Sequence, residues 1–483
     1  MEQPEEKVYK NRNLILFNVV LMTFMATLDS SIVNVALPVM AGKLSVSSEA
    51  IAWVVSSYLI VISGTILIFG RLGDIRGKTE IFKFGVILFT FGSLLCAVSG
   101  SLTMLIAARA VQAVGAAAAM ATNQGIITQV FASNGRGKAL GISGSFVALG
   151  TMVGPPLGGF IVDALSWHYI FLINIPVGIF VAVSGMKILP KTDEKVDEKL
   201  DAKGGVFFTL AVVSLFTCLI LGGSMGYSNP AIICGFALAA VSFIFFMIFE
   251  KRQPTPLIQL NIFKNKLFSL SIFCAFTSFT AISISSIILP FYLQNAMKLS
   301  PSYTGLLMMV SPIVMSVAAP LSGSLSDRIG SESLTFLGLT ASSTALFLMS
   351  GLNLSTGLAP LIVFMAIMAL GTAVFQSPNT SLIMSTVPRN MLGIAGSINA
   401  LVRNLGMIFG TTLSVTLLYG RMSSMLGYKV SDYVEGRGDA FVYGMSGVYI
   451  AAGAICAVGA ILTAIRLYSR KKRTNMPFEE GEN

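Results

Sequence analysis

The sequence predicts an all-α integral membrane protein with fourteen transmembrane helices. The chain has 483 residues, of which 54% are hydrophobic and only 11% are charged, whereas a soluble domain carries about 25% charged residues. Apolar runs of about 20 residues recur along the whole chain, and each is long enough to cross about 30 Å of hydrocarbon. The polar stretches are confined to the tails and to loops, so we expect no soluble catalytic domain.

The apolar runs define fourteen predicted spans, and an even number puts both termini on one side of the membrane. The predicted spans are 13–39, 50–70, 81–100, 103–130, 139–163, 168–188, 204–223, 230–249, 267–292, 302–322, 333–351, 358–384, 393–420 and 444–467. If the termini are cytoplasmic, most of the 32 Lys and Arg lie in cytoplasmic segments. The outer loops then hold only Lys43, Lys298, Arg421, Lys429 and Arg437. This bias predicts a multi-pass cell-membrane protein with both termini in the cytoplasm.

The charge pattern and the cysteines exclude several classes of protein. The net charge is +10, but membrane topology accounts for the basic loops, so no nucleic-acid partner is expected. All five cysteines fall in apolar runs without metal-ligand spacing, and we expect neither a metal site nor a cofactor. Gly77, Lys78 and Thr79 resemble the end of a phosphate-binding loop. That loop needs glycine where Leu72 stands, so ATP binding is not expected.

Two loops share the pattern G-x-L-x-D-x-x-G, at residues 70–77 after the second span and 323–330 after the tenth. They lie eight spans apart, whereas two tandem six-helix halves would place them six apart. We therefore predict two inserted helices. The predicted units are a six-helix bundle at 1–188, a linker with two inserted helices at 189–266, and a six-helix bundle with a tail at 267–483.

These loops are candidates for a conformational latch between helices. Glycine permits a tight turn, and Asp74 can pair with Arg71, Arg76 or Lys78 beside it. The alternative is a structural loop with no role in switching. The predicted latch residues are Gly70, Asp74, Arg76, Gly77, Gly323, Asp327 and Arg328.

Several further segments carry a family resemblance. Together with the loops, they resemble the major facilitator superfamily, and specifically its fourteen-helix branch of multidrug:proton antiporters, which export quaternary-ammonium and hydrophobic drugs. The segments are LDSSIVNVALP at 28–38, LIAARAVQAVG at 105–115, GTMVGPPLGG at 150–159, WHYIFLINIPVG at 167–178, FQSPN at 375–379 and the stretch 399–410. The chain departs from the branch pattern at Ser31 for Thr, Ala113 for Gly and His168 for Arg.

The resemblance implies a major facilitator fold in a 6+2+6 arrangement, with a central cavity between the halves. It also implies that the antiporter motif bends the fifth span and seals the cavity against leak, whereas generic tight packing is the alternative. The motif residues are Gly150, Gly154, Pro155, Gly158 and Gly159.

Asp29 is the only acidic residue deep inside a predicted span. It lies about 15 Å from the outer end of the first span, and Arg109 lies about 10 Å from the outer start of the fourth, so the two are at similar depth. An isolated carboxylate at mid-membrane costs about 3 kcal/mol, and such residues are functional by default. We predict that Asp29 exchanges a proton and that Arg109 tunes it, with a static ion pair as the alternative.

The substrate cavity is expected to combine methionine, aromatic and amide side chains, although each can instead serve packing. The predicted cavity residues are Met22, Met25, Asn34, Tyr58, Tyr292, Gln294, Gln376, Asn379, Asn399 and Arg403. Arg403 can pair with a substrate anion, a backbone carbonyl or a residue of the inserted helices. Because the resemblance associates divalent cations with additional acids in the spans, we expect neutral, zwitterionic or monovalent cationic substrates.

We therefore expect a proton-coupled secondary active exporter that works by alternating access. Its partners would be small amphipathic or hydrophobic substrates and the lipid bilayer, with protons as coupling ion and the chain acting as a monomer. An enzyme is disfavoured because the sequence shows no nucleophile–base set. The alternative is an exporter or flippase of a lipid or lipid-linked metabolite, in which Asp29 and Arg109 bind a head group.

Overall fold

A computed structural model describes residues 11–131, 136–190, 201–253, 256–257, 260–387 and 392–474, and the regular elements in these ranges are all helical. The α-helices are α1 Arg12–Leu44, α2 Ser48–Ile51, α3 Trp53–Arg76, α4 Lys78–Ala97, α5 Leu102–Val130, α6 Arg136–Ala164, α7 Tyr169–Leu172, α8 Asn174–Ile188, α9 Ala202–Met225, α10 Pro230–Arg252, α11 Lys266–Phe291, α12 Pro301–Met308, α13 Val310–Ile329, α14 Ser331–Met349, α15 Leu358–Ser385, α16 Leu392–Leu426 and α17 Gly438–Thr474. A 3₁₀ helix at Leu260–Lys264 and a π-helix at Tyr292–Ala296 complete the set.

Fourteen helical units in the described ranges are long and apolar enough to cross a membrane, which confirms the predicted number. Four of these units contain a local break. They are α2 with α3, α7 with α8, α11 with the π-helix, and α12 with α13. Pro290 lies two residues before the π-helix, and its missing N–H removes one backbone hydrogen bond from α11. The prediction of an all-α membrane protein is therefore confirmed.

Two sides of the molecule can be distinguished from the helix order. We call the side on which α1 begins and α17 ends the terminal side, and the opposite side the distal side. Because successive spans alternate in direction, each connection between two spans can be placed on one of these two sides. The G-x-L-x-D-x-x-G loops both lie on the terminal side.

The helices pack as two groups with an additional pair beside them. One group is α1 to α8 and the other is α11 to α17, and they meet through α6 with α12 and α3 with α16. Helices α9 and α10 pack against each other, while α9 contacts both α3 and α16. Thr209 of α9 donates to the Gly64 carbonyl at 2.6 Å, and Gly223 lies beside Thr416. The division at residues 188 and 266 stays a prediction.

The two repeated loops have the same backbone turn. Gly77 has φ 106° and Gly330 has φ 88°, a left-handed region that glycine enters without strain. Asp74 accepts an ion pair from Lys78 Nζ at 2.9 Å, one of the three partners expected from the sequence. Arg76 and Arg328 are exposed. The side chain of Asp327 lies outside the described part of the chain, and the latch role stays a prediction.

Candidate proton and substrate site

Asp29 is completely buried, with 0% of its surface exposed. Its carboxylate accepts three hydrogen bonds, from Arg109 Nη1 at 2.6 Å, Gln112 Nε2 at 2.9 Å and Asn174 Nδ2 at 2.8 Å. A buried carboxylate is stabilised in its charged form by an adjacent cation and by donated hydrogen bonds. This arrangement supplies the Asp29 carboxyl group with one cationic and two amide donors.

The guanidinium of Arg109 is held from several directions. Its Nη1 also donates to Gln112 Oε1 at 2.6 Å, and its Nε donates to the Val54 carbonyl at 3.2 Å. The ring of Tyr58 lies 3.9 Å from the guanidinium carbon and that of Phe171 lies 5.7 Å away, so cation–π attraction adds to the hydrogen bonds. The guanidinium is thus fixed against Asp29 by its own helix and by contacts from two neighbouring spans.

Small residues explain why α1 presents Asp29 to Arg109. Gly150, Gly154 and Gly158 recur every fourth residue of α6 and press against one face of α1, where a Cβ at Gly154 would lie 2.8 Å from Ser31 Cβ. Ser31 also donates to the Gly150 carbonyl at 3.1 Å. Asp29 stands two residues from Ser31 and therefore points to the opposite face of α1. Close contact on one face leaves the other face directed at α5.

The partners of Asp29 are positioned in a similar way. Gly92 of α4 allows the backbone of α5 to approach, since its Cβ would lie 2.5 Å from Gln112 Cα. Gln112 Nε2 donates to Ser93 Oγ at 2.8 Å as well as to Asp29. His168 lies six residues before Asn174, the first residue of α8. The ring of His168 bonds to the Ser99 carbonyl at 3.1 Å. The end of α4 thus anchors the segment that places Asn174.

A small cavity of about 20 Å³ lies between the two helix groups. That volume suffices for one water molecule. Asn34 lines it, and Asn34 Oδ1 is buried without a hydrogen-bond partner in the described part of the chain. The lining residues are Ser30, Asn34, Val55, Tyr58, Leu59 and Arg109 on one side and Ser283, Ser286, Ile287 and Met407 on the other. The cavity therefore adjoins Arg109 directly.

The other residues predicted for a substrate cavity lie elsewhere. Tyr292 donates its hydroxyl to the Asn353 carbonyl at 2.8 Å, and Gln294 Nε2 donates to the Val35 carbonyl at 3.0 Å. Their roles as substrate residues stay predictions. Of the remaining predicted residues, three are buried: Met22, Met25 and Asn379. Asn379 donates to the Ser271 carbonyl at 3.0 Å. Three others are half-buried: Gln376, Asn399 and Arg403.

The two helix groups are in direct contact on the distal side. Gly159 packs against the Pro301 carbonyl and Gly305 packs against the Pro155 carbonyl. Ser302 donates to Asp163 at 2.6 Å. The expected seal by Gly159 and Pro155 stays a prediction, but both residues lie at this contact between the groups.

The long loop between α16 and α17 adds a second distal contact. The Glu49 amide donates to the Ser431 carbonyl at 3.1 Å, and the Ser48 hydroxyl donates to the Asp432 carboxylate. Both donors belong to α2 in the first group, whereas the acceptors follow α16 in the second. The distal ends are therefore closed in this structure.

Two hydrogen-bond partners of Asp29 are missed by the sequence argument. Gln112 and Asn174 both stand inside the segments that carry the family resemblance, yet the sequence analysis predicts neither as a partner of Asp29. The available signal was an amide in the middle of an apolar span, where an unpaired polar group is costly. The few charged side chains deep within the spans are the natural partners for such an amide.

Fourteen apolar helices around a buried ion pair are typical of a membrane transporter. The model of the Major Facilitator Superfamily matches residues 19–411 and 272–482. The chain belongs to this superfamily, is a transporter and is not an enzyme. The resemblance to its multidrug transporters, noted from the motifs, is thereby confirmed.

Three curated relatives match most of the chain. The riboflavin transporter RibZ of Clostridioides difficile (strain 630) is 35% identical over 94% of this chain and 97% of its own length. The multidrug transporter protein MdtP of Bacillus subtilis (strain 168) is 28% identical, covering 90% and 80%. The multidrug resistance protein Stp of Mycobacterium tuberculosis (strain ATCC 25618 / H37Rv) is 30% identical, covering 83% and 75%.

A solved structure shares the fold. The crystal structure of the peptide transporter POT in complex with sulfate has a TM-score of 0.67 with 17% identity, and the match covers 93% of this chain and 94% of the other. At this identity the likeness supports the arrangement of helices and carries no information about the substrate.

Proposed function

We propose that the protein is a proton-coupled antiporter that exports amphipathic or hydrophobic compounds across the cell membrane, with both termini in the cytoplasm. The observation that carries this proposal is the fully buried Asp29, paired with Arg109 and bound by two amides. A carboxyl group in the middle of the spans can bind and release a proton, which an arginine cannot do. Relatives named as multidrug transporters support the substrate class.

The mechanism follows from the state of the carboxylate. In the proposed cycle, the closed distal side belongs to the part of the cycle in which Asp29 has released its proton. A proton arriving from outside neutralises Asp29 and deprives Arg109 of its counter-charge. Arg109 also lines the central cavity, so its rearrangement on protonation can change how a substrate is held. Proton binding and substrate binding thus become linked through one guanidinium.

The proton gradient supplies sufficient free energy for export. One charge that crosses a potential of 100 mV yields about 2.3 kcal/mol. At 1.4 kcal/mol per factor of ten, one proton therefore supports a roughly 50-fold gradient of a substrate that carries no net charge. A single carboxyl group in the spans is therefore enough for the proposed coupling.

The test is transport in proteoliposomes with an imposed pH gradient and ethidium as the probe. We expect gradient-driven ethidium movement, accompanied by opposite proton movement, in the wild type and its loss in Asp29→Asn. Asp439→Asn is the matched control, because Asp439 pairs with Arg437 in an exposed position on the distal side. Transport that ignores the gradient, or that persists in Asp29→Asn, would contradict the proposal and favour a facilitator or lipid flippase.

Riboflavin is a second candidate substrate. The observation that favours it is the 35% identity, over nearly the full length of both chains, to a protein named as a riboflavin transporter. The same vesicles can be tested with riboflavin, whose fluorescence reports its location. Accumulation of riboflavin that requires Asp29, with no movement of ethidium, would replace the multidrug substrate class while leaving proton coupling intact.

A further inference from the structure

Arg403 differs from the other charges deep within the spans. By sequence these charges are Asp29, Arg109 and Arg403. Asp29 and Arg109 neutralise each other in an ion pair of 2.6 Å. Arg403 makes no hydrogen bond, ion pair or ring contact with any residue in the part of the chain that the structure describes. Because a charge within a span is costly, an unpaired one indicates a functional site.

Arg403 lies on the side of α16 that borders the first helix group, and we call this boundary between the two groups the crevice. It is half-buried and lies eleven residues after the start of α16 at Leu392, or about 16 Å along the helix. It shares a helix face with Gly396 and Met407. A Cβ at Gly396 would lie 3.5 Å from Gln124 Oε1 in α5, and Met407 lines the central cavity. Arg403 therefore lies between a contact with the first group and the cavity.

The possible partners of Arg403 can be narrowed. The sequence left open a substrate anion, a backbone carbonyl or a residue of the inserted helices. Within the described ranges, no carbonyl and no side chain of α9 or α10 bonds to it. Asp29 is also unsuitable, because its oxygens already accept three hydrogen bonds. The crevice therefore keeps one uncompensated positive charge.

We propose that Arg403 binds an anionic group of the transported compound, a carboxylate or a phosphate. The substrates would then be anionic or zwitterionic amphiphiles, in preference to simple cations. This changes the expectation from the sequence, which named neutral, zwitterionic or monovalent cationic substrates and no anionic ones. The planar guanidinium offers two parallel N–H donors that match the oxygens of such groups. The proposal rests on the proposed function in one respect, since it takes the crevice as the transport path.

The test compares rhodamine B with its ethyl ester, which share the xanthene body and its positive charge. Only rhodamine B has a free carboxylate. Binding is measured by fluorescence anisotropy with the full chain in lipid nanodiscs, without a pH gradient. We expect the wild type to bind rhodamine B at least about tenfold more tightly than the ester, as a hydrogen bond between charged groups provides. Arg403→Gln should remove this preference by weakening rhodamine B alone.

Two further variants control the test. Arg421→Gln removes another guanidinium of α16, which lies 4.2 Å from the Tyr443 ring near the distal end, and it should leave the preference unchanged. Arg403→Lys should retain part of the preference because it keeps the charge. The wild-type comparison needs no variant and stands even if Arg403→Gln does not fold. Equal affinities in the wild type, or an equal loss for both dyes in Arg403→Gln, would overturn the proposal.

These outcomes can be separated from those of the proposed function. If the wild type prefers rhodamine B but Asp29→Asn retains gradient-driven transport, proton coupling at Asp29 fails and the anion site stands. If the wild type shows no preference while transport requires Asp29, the anion site fails and proton coupling stands.

Discussion

The two helix groups contain the same close packing but different chemistry. In the first group, α4 and α5 meet at Gly85 and Gly115, where a Cβ on either would lie 2.7 Å from the carbonyl oxygen of the other. In the second group, α14 and α15 meet in the same way at Gly338 and Gly371, with distances of 2.7 and 2.8 Å. These glycine pairs define equivalent positions in the two groups.

The equivalent positions differ in polarity. Gln112 stands three residues before Gly115 and bonds to Asp29, whereas Met368 stands three residues before Gly371 and contacts Ser285 through its sulfur at 3.2 Å. Arg109 lies three residues before Gln112, and the equivalent residue, three before Met368, is the buried Met365. The second group thus has a neutral counterpart of the charge network. One helical frame can hold a charged pair in one group and serve simple packing in the other.

The largest effect should come from breaking the ion pair in a double-mutant cycle. Removing one member of a buried pair typically costs about 3 to 5 kcal/mol because the other charge is left uncompensated. We expect Asp29→Asn to destabilise more than Arg109→Gln, since a carboxyl group can take up a proton whereas a guanidinium cannot release one. The double variant should be more stable than Asp29→Asn alone, yet still uncoupled. Thermal unfolding in detergent measures all four proteins.

Additive losses in this cycle would show that the two side chains do not stabilise each other. Recovery of gradient-driven transport in the double variant would show that the pair is structural and that the proton binds elsewhere. Either result would show that the charged pair of the first group does not give that group a function that the neutral second group lacks.

A smaller effect is expected where α6 packs against α1. In Gly154→Ala the new methyl group would collide with Ser31, and overpacking costs about 1 to 3 kcal/mol. Gly144→Ala is the matched control on the same helix, because nothing lies within 4 Å of its Cβ position. Alanine there should be neutral or stabilising by about 0.5 to 1 kcal/mol. Thermal unfolding distinguishes them, and equal midpoints would show that the glycine stripe does not position α1.

The fold and the charged centre were accessible to sequence reasoning for physical reasons. Hydrocarbon requires long apolar helices, so composition and periodicity alone give the number of spans. Asp29 and Arg109 could be paired because charges deep in spans are few and each needs a partner. A neutral amide carries no such constraint, and the direction of Gln112 or Asn174 depends on helix rotation. That rotation is fixed by contacts such as Gly92 against Gln112, which a hydropathy pattern does not encode.

The predicted substrate residues show the same limit. Tyr58 and Asn34 lie at the central cavity, whereas Tyr292 and Gln294 are bonded to backbone carbonyls near the distal contact. Sequence position gives the depth of a residue in the membrane but not the face it occupies. In an alternating-access protein the lining also changes between states. A single list of residues therefore cannot describe every state of the cavity.

The smallest effect is expected in the neutral counterpart. Ser285→Ala removes the hydroxyl that contacts Met368, and a single neutral hydrogen bond contributes only about 0.5 to 1.5 kcal/mol. We expect a small shift of the thermal midpoint and unchanged proton coupling in proteoliposomes. This is the reverse of the result expected at Asp29, although both residues face equivalent positions of the partner helix. Loss of coupling in Ser285→Ala would show that the second group takes part in proton transfer, and the division of labour between the groups would have to be abandoned.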